Sequence, residues 1–152
     1  MGAVYFYHLT DSPLEATLPE LLDRARGQGW RVLVRGTDPG HLERLDEALW
    51  DGPAEAFRPH GLAGGPCDAN QPVLLGIGVP AEGFDCVMCV DGAALSAAEV
   101  AAAQRACVLF DGQDESAVAA ARMLWKSLTG QSIAAQYWAQ EDGRWIKKAE
   151  AG

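Results

Sequence analysis

The chain has 152 residues, 49% of them apolar and 22% charged, with a formal net charge of −9 at pH 7. That length suits one domain, 1–152, large enough to bury about 68–70% of its unfolded surface, and no apolar run approaches the roughly 20 residues of a membrane span. The acidic balance repels phosphate backbones and argues against direct DNA binding, although all three lysines, Lys126, Lys147 and Lys148, fall in the C-terminal quarter with Arg122 and Arg144, which predicts a local basic patch there.

Ala3 to Leu9 is almost wholly apolar and aromatic and reads as a strand buried on both faces. It has none of the basic, apolar and small-residue segments of a signal peptide, so a cytoplasmic location is expected. Ser12-Pro13-Leu14-Glu15 reads as a capping box with Ser12 as N-cap. Leu14, Leu18, Leu21, Leu22 and Ala25 line one face of the helix that follows, Pro19 should bend it or delay its start, and Gly27 and Gly29 stop it. Val32-Leu33-Val34 centres a second buried strand, from Trp30 to Arg35. Asp38-Pro39 opens a helix that runs to Trp50 with Leu42, Leu45 and Leu49 at spacings of three and four.

From Asp51 to Pro72 the density of proline and glycine excludes a helix and leaves room only for a short strand near Phe57. Val73 to Ile77 and Cys86 to Val90 read as strands joined by a connection too short for a full helix. Ser96-Ala97-Ala98-Glu99 is a second capping box, opening an Ala-rich helix that runs toward Gln104 and Arg105. A strand from Ala106 to Phe110, a helix from about Glu115 to Leu128 capped by Asp114, and strands Ile133 to Ala139 and Arg144 to Lys148 paired through Asp142-Gly143 complete the pattern. Apolar strands alternating with helices predict a three-layer, doubly wound α/β fold, its sheet mostly parallel with an antiparallel C-terminal edge.

The motifs that would carry chemistry fail in context. Gly76-Ile77-Gly78-Val79-Pro80-Ala81 fits a relaxed dinucleotide pattern, but Pro80 and Gly83 lead into a strand where that motif must open a helix. No GxxxxGK[ST] sequence exists, which excludes a P-loop. Asp46-Glu47 lies on a helix and reads as a solvated face. Cys86 and Cys89 alternate to opposite faces of a strand, so one metal cannot take both thiolates, and buried core cysteines are expected. His8 and His41 adjoin no recognisable nucleophile, whereas His60, between Pro59 and Gly61, is expected to shape its loop by hydrogen bonding. No metal, cofactor or catalytic residue is expected.

Two surfaces remain. On the last long helix Val118, Arg122 and Lys126 follow at spacings of four with Trp125 between the cations. The spacing fits either a solvated edge over a core of Val118 and Trp125 or a binding strip. Around the loop after Trp50, the residues Trp50, Phe57, Pro59 and Leu62 fit either a satellite core or an exposed anchor set.

The run Leu45-Asp46-Glu47-Ala48-Leu49-Trp50, continued by Pro53, Glu55, Phe57 and Pro59-His60-Gly61-Leu62-Ala63-Gly64, resembles the corresponding stretch of the chi-subunit family of the bacterial DNA polymerase III clamp-loader complex. The likeness extends from the first strand to about Trp138, while the Gly/Pro-rich connection around Gly65 and Cys67, the Ala-rich later helix and the hairpin past Gln140 depart from it. It implies an α/β fold and a noncatalytic replication accessory subunit that links the clamp loader to single-stranded DNA-binding protein. Ala121-Arg122 followed by Trp125-Lys126 is similar to that family's helix pattern, which implies that Arg122, Lys126, Trp125 and Val118 bind the protein's acidic C-terminal tail. A hydrophobic notch beside fixed positive charge suits a chain end that carries apolar residues and a carboxylate. The same resemblance implies a partner subunit, psi, docking on Trp50, Phe57, Pro59, His60 and Leu62. The alternative from the fold alone is a small nucleotide-binding enzyme using the crevice at the sheet's switch point.

Overall fold

The structure, a computed structural model, describes residues 2–10, 13–50, 60–64 and 71–151, the side chain of Trp50 excepted. Among the described residues the order is β1 (Ala3–Leu9), α1 (Leu14–Gly27), β2 (Val32–Arg35), α2 (Pro39–Trp50), β3 (Gly61–Leu62), β4 (Val73–Gly76), β5 (Cys86–Cys89), α3 (Ala97–Ala102), β6 (Arg105–Asp111), α4 (Glu115–Gly130), β7 (Ala134–Glu141) and β8 (Arg144–Ala151). The described strands form one sheet in the order β3-β4-β2-β5-β6-β1-β7-β8. Every neighbouring pair is parallel except β7 with β8.

Period-two alternation in the central strands divides the apolar residues between two cores. Tyr7, Leu9, Val32, Val34, Cys86 and Met88 pack against Leu18, Leu21 and Leu22 of α1 and Leu42, Leu45 and Leu49 of α2. Val4, Phe6, Leu33, Val87, Cys89 and Val108 pack on the other side against Val100 of α3 and Ala121 and Leu128 of α4. The three-layer, doubly wound arrangement follows from strands that are apolar on both faces. At about 1.5–3 kcal/mol for each large aliphatic side chain taken from water, these two layers are the main stabilising term.

Local chemistry sets the ends of the elements. Asp114 caps α4 through Oδ1, which accepts from the backbone N–H groups of Ser116 and Ala117, and Ser96 and Glu99 form the reciprocal capping box of α3. Asp38 accepts from the N–H of Gly40 at the start of α2. The β7–β8 hairpin turns on Asp142 and Gly143, both with positive φ (52° and 74°), the conformation that makes Asp-Gly a hairpin signal.

The structure also departs from the sequence pattern. Pro19 lies inside α1 without ending it; one missing rung is outweighed by the leucines buried on either side. Pro13 is the N-cap residue of α1, with no side-chain cap bond, and Glu15 bonds to His41; Ser12 lies outside the described residues. Helix α3 stops at Ala102, because Gln104 and Arg105 already donate to the carbonyl of Asp85, and Arg105 begins β6. Strand β8 runs to Ala151, beyond the expected Lys148. The short strand expected near Phe57 falls outside the described residues, and β3 pairs with β4 at Gly61 and Leu62.

Candidate functional site

Helix α4 keeps few residues wholly buried: Ala121 and Leu128 face the core, while Val118, Leu124 and Trp125 are half-buried against it. Arg122 and Lys126 are exposed. With 3.6 residues per turn, the two cations stand one above the other, and Val118 and Trp125 lie on the flank between them and the sheet. The four residues picked out by spacing therefore form one strip along the seam between α4 and β7.

Beneath that strip lies an aromatic shelf. Trp125 meets Phe6 at 5.4 Å between ring centroids and Tyr137 at 6.0 Å, both edge-on. Tyr137 stacks with Phe6 at 6.4 Å and its hydroxyl lies 2.8 Å from His8 Nδ1. Burial, and then the positive charge of Arg122, lower the pKa of His8, so a neutral His8 accepts from the Tyr137 hydroxyl. Burial raises the pKa of Tyr137, against the opposing charge of Arg122. Arg122 thus sits close enough to the shelf to act electrostatically on both groups. Gly112 is needed where it is, since a Cβ there would come within 2.0 Å of the His8 ring. His8 and Tyr137 carry no signal in the sequence beyond strand aromaticity; only the parallel β1–β7 register, with Phe6 opposite Tyr137, brings them under α4.

The loop after α2 is described at one end only. His60 is 4% exposed, and its Nε2 lies 3.1 Å from both the carbonyl oxygen and Oδ1 of Asp46. Asp46, which reads in the sequence as part of a solvated face, therefore holds the loop to α2. Leu62 is 37% exposed on β3. Phe57, Pro59 and the side chain of Trp50 lie outside the described residues.

Strands β1 and β6 are neighbours whose following helices, α1 and α4, pack on opposite faces, which makes their C-terminal ends a switch point. A crevice of about 750 Å³ opens there, lined by the first turns of both helices and by Glu15, Asp91, Asp111 and Asp114. At its rim His41 bridges two carboxylates, with Nδ1 2.5 Å from Asp91 Oδ2 and Nε2 2.8 Å from Glu15 Oε1. Burial opposes the charge on this imidazole, but the hydrogen bonds to Asp91 and Glu15 outweigh it and raise its pKa. The sequence places His41 in a first turn and gives no sign of this bridge, whose partners are 26 and 50 residues away.

The cysteines behave as alternation requires. Cys86 packs in one core and Cys89 in the other, and burial pushes the Cys89 thiol up to about 12. Among the described residues no group of three or more His, Cys, Asp or Glu is placed to hold a metal ion, and no helix is long and apolar enough to cross a membrane.

The protein-family model described as "DNA polymerase III chi subunit, HolC" matches residues 1–136. The chain is 37% identical over 83 residues to the DNA polymerase III subunit chi of Pseudomonas aeruginosa, covering 53% of this chain and 57% of that protein. It is 46% identical over 53 residues to the subunit chi of Escherichia coli, covering 35% of this chain and 36% of that protein. The chain thus aligns with less than two thirds of the length of either relative. Since the family match runs unbroken from the first residue through α4 into β7, the chain belongs to the DNA polymerase III chi subunit family, a component of the DNA replication machinery.

Proposed function

We propose that the protein is a noncatalytic adaptor of the replicase, tying the clamp loader to single-stranded DNA-binding protein by gripping that protein's acidic C-terminal tail on α4. The observation that carries this reading is the placement of Arg122 and Lys126, exposed one turn apart above the shelf of Trp125 and Tyr137. The guanidinium and ammonium groups supply charge-assisted hydrogen bonds to a terminal carboxylate, and Val118 and Trp125 supply apolar contact for the residues before it. A chain of net charge −9 reaches DNA in this way through a protein that coats it.

A second partner, the psi subunit, is assigned to the loop after α2. Leu62 would contribute exposed apolar surface, His60 would fix the loop on Asp46, and Trp50, Phe57 and Pro59 complete the set of residues proposed to meet psi. The switch-point crevice supports a nucleotide-binding reading less well, because Glu15, Asp91, Asp111 and Asp114 on its walls oppose a polyphosphate. The test is co-sedimentation of the full chain with single-stranded DNA-binding protein, intact or lacking its tail. Association with the intact protein alone is expected; equal association with both forms rules the tail out.

A further inference from the structure

On the opposite side of the sheet from α4, a groove of about 470 Å³ lies between the C-terminal half of α1 and strands β1, β6, β7 and β8. Its volume falls in the range of about 300–1,000 Å³ typical of ligand sites. Tyr5, Tyr7, Trp30, Trp138 and Trp145 make the walls. Tyr7 meets Trp145 edge-on at 5.1 Å, and the guanidinium of Arg105 lies 4.2 Å from the ring centroid of Tyr5 and 5.2 Å from that of Trp30. Arg24 faces the same space from α1.

The polar chemistry of the groove is one-sided. No carboxylate is among its described lining residues, although the chain carries 21 acidic residues against 12 basic ones. Neither Arg24 nor Arg105 forms an ion pair among the described residues. Tyr7 is only 7% exposed and lines the groove, yet its hydroxyl meets no hydrogen-bond partner among the described residues. Burial raises its pKa well above that of a free phenol, so it remains a donor. Two cations and a phenol donor open to the groove, between aromatic walls, match an acceptor-rich anion attached to a flat apolar group.

We infer that this groove docks a short acidic segment of a partner protein, one in which an aspartate or glutamate adjoins an aromatic or proline ring. The carboxylate meets Arg105, Arg24 and the Tyr7 hydroxyl, and the ring packs on Trp138 and Trp145. A peptide fits better than nucleic acid on two grounds. The net charge of −9 opposes a polyanion, and the C-terminal end of α1, at Gly27 beside the groove, carries partial negative charge that a single carboxylate tolerates better than phosphate. This site stands apart from the α4 strip, so either can fail without the other.

The test is titration of the full chain with a peptide of alternating aspartate and phenylalanine, blocked at its C-terminus so that it offers α4 no terminal carboxylate. Saturable binding is expected, about tenfold or more weaker in Arg105→Gln and in Arg24→Gln, and within about twofold of the parent in Arg122→Ala; a tenfold loss is about 1.4 kcal/mol. Arg24→Gln changes an exposed helix residue and keeps the test open if Arg105→Gln fails to fold. The indole signals of Trp138 and Trp145 should shift on saturation. Absence of saturable binding, binding by the two groove variants as tight as the parent's, unchanged binding of the asparagine version of the peptide, or tighter binding of oligo-thymidylate than of the peptide would each overturn the proposal.

Discussion

Trp125 on α4 and Tyr137 on β7 meet edge-on, ring centroids 6.0 Å apart at an interplanar angle of 77°, and this contact joins the helix bearing Arg122 and Lys126 to the C-terminal edge of the parallel sheet. The cations thereby stand over a fixed aromatic floor. Trp125→Ala should cost about 2–4 kcal/mol, below the range for a wholly buried aromatic because the ring is half-exposed, and should also abolish tail binding. Tyr137→Phe keeps the ring and deletes only the bond to His8, so it should cost about 0.5–1.5 kcal/mol and leave tail binding intact. Urea unfolding together with peptide titration separates the two.

The His41 bridge makes stability depend on pH in a defined direction. Hydrogen bonds raise the pKa of His41 above its ordinary 6.5 despite burial, so its contribution is complete below 6.5 and is lost as pH rises through the raised value. Burial also raises the carboxyl of Glu15, but a backbone bond and His41 outweigh it and pull it below 4.5, so that contribution is lost as pH falls through the lowered value. The difference in Tm between the parent and His41→Ala should therefore be largest between 4.5 and 6.5 and shrink first on the alkaline side. A difference that grows above neutrality would refute the charged bridge.

Thr17 is 2% exposed on the buried side of α1, and its Oγ1 has no hydrogen-bond partner among the described residues. Valine has nearly the same shape and no polar atom to satisfy. Thr17→Val should raise stability by about 1 kcal/mol, read as a higher urea midpoint with an unchanged slope; a loss of stability would mean that the hydroxyl is satisfied in solution.

Arg35 closes the end of β2. Its guanidinium donates to both carboxylate oxygens of Glu99, at 3.0 and 2.6 Å, and to the carbonyls of Ala94 and Val79. Glu99 also completes the α3 capping box, so Arg35→Leu strands a carboxylate that the helix end needs. The expected cost is about 2–3 kcal/mol, and Glu99→Gln, which retains an acceptor, should cost less.

What the sequence revealed followed from local rules. Capping at Asp38, Ser96 and Asp114, the Asp142-Gly143 turn and the two-faced apolar strands are all decided within a few residues. Cys86 and Cys89 could be dismissed as a metal pair by alternation alone. The α4 strip was legible because helical spacing puts Arg122 and Lys126 together wherever the helix sits. Its floor was not, because Phe6, His8 and Tyr137 come together only through the pairing of β1 with β7. His41 stayed hidden for the same reason: nothing local to residue 41 announces Glu15 or Asp91.

The most direct measurement is calorimetric titration of the full chain with a peptide copying the acidic C-terminal tail of single-stranded DNA-binding protein. Arg122→Ala and Lys126→Ala should each weaken binding by about 1–3 kcal/mol, and added salt should weaken the parent complex further. Titration curves unchanged by both substitutions would contradict the assignment of α4 as the tail site.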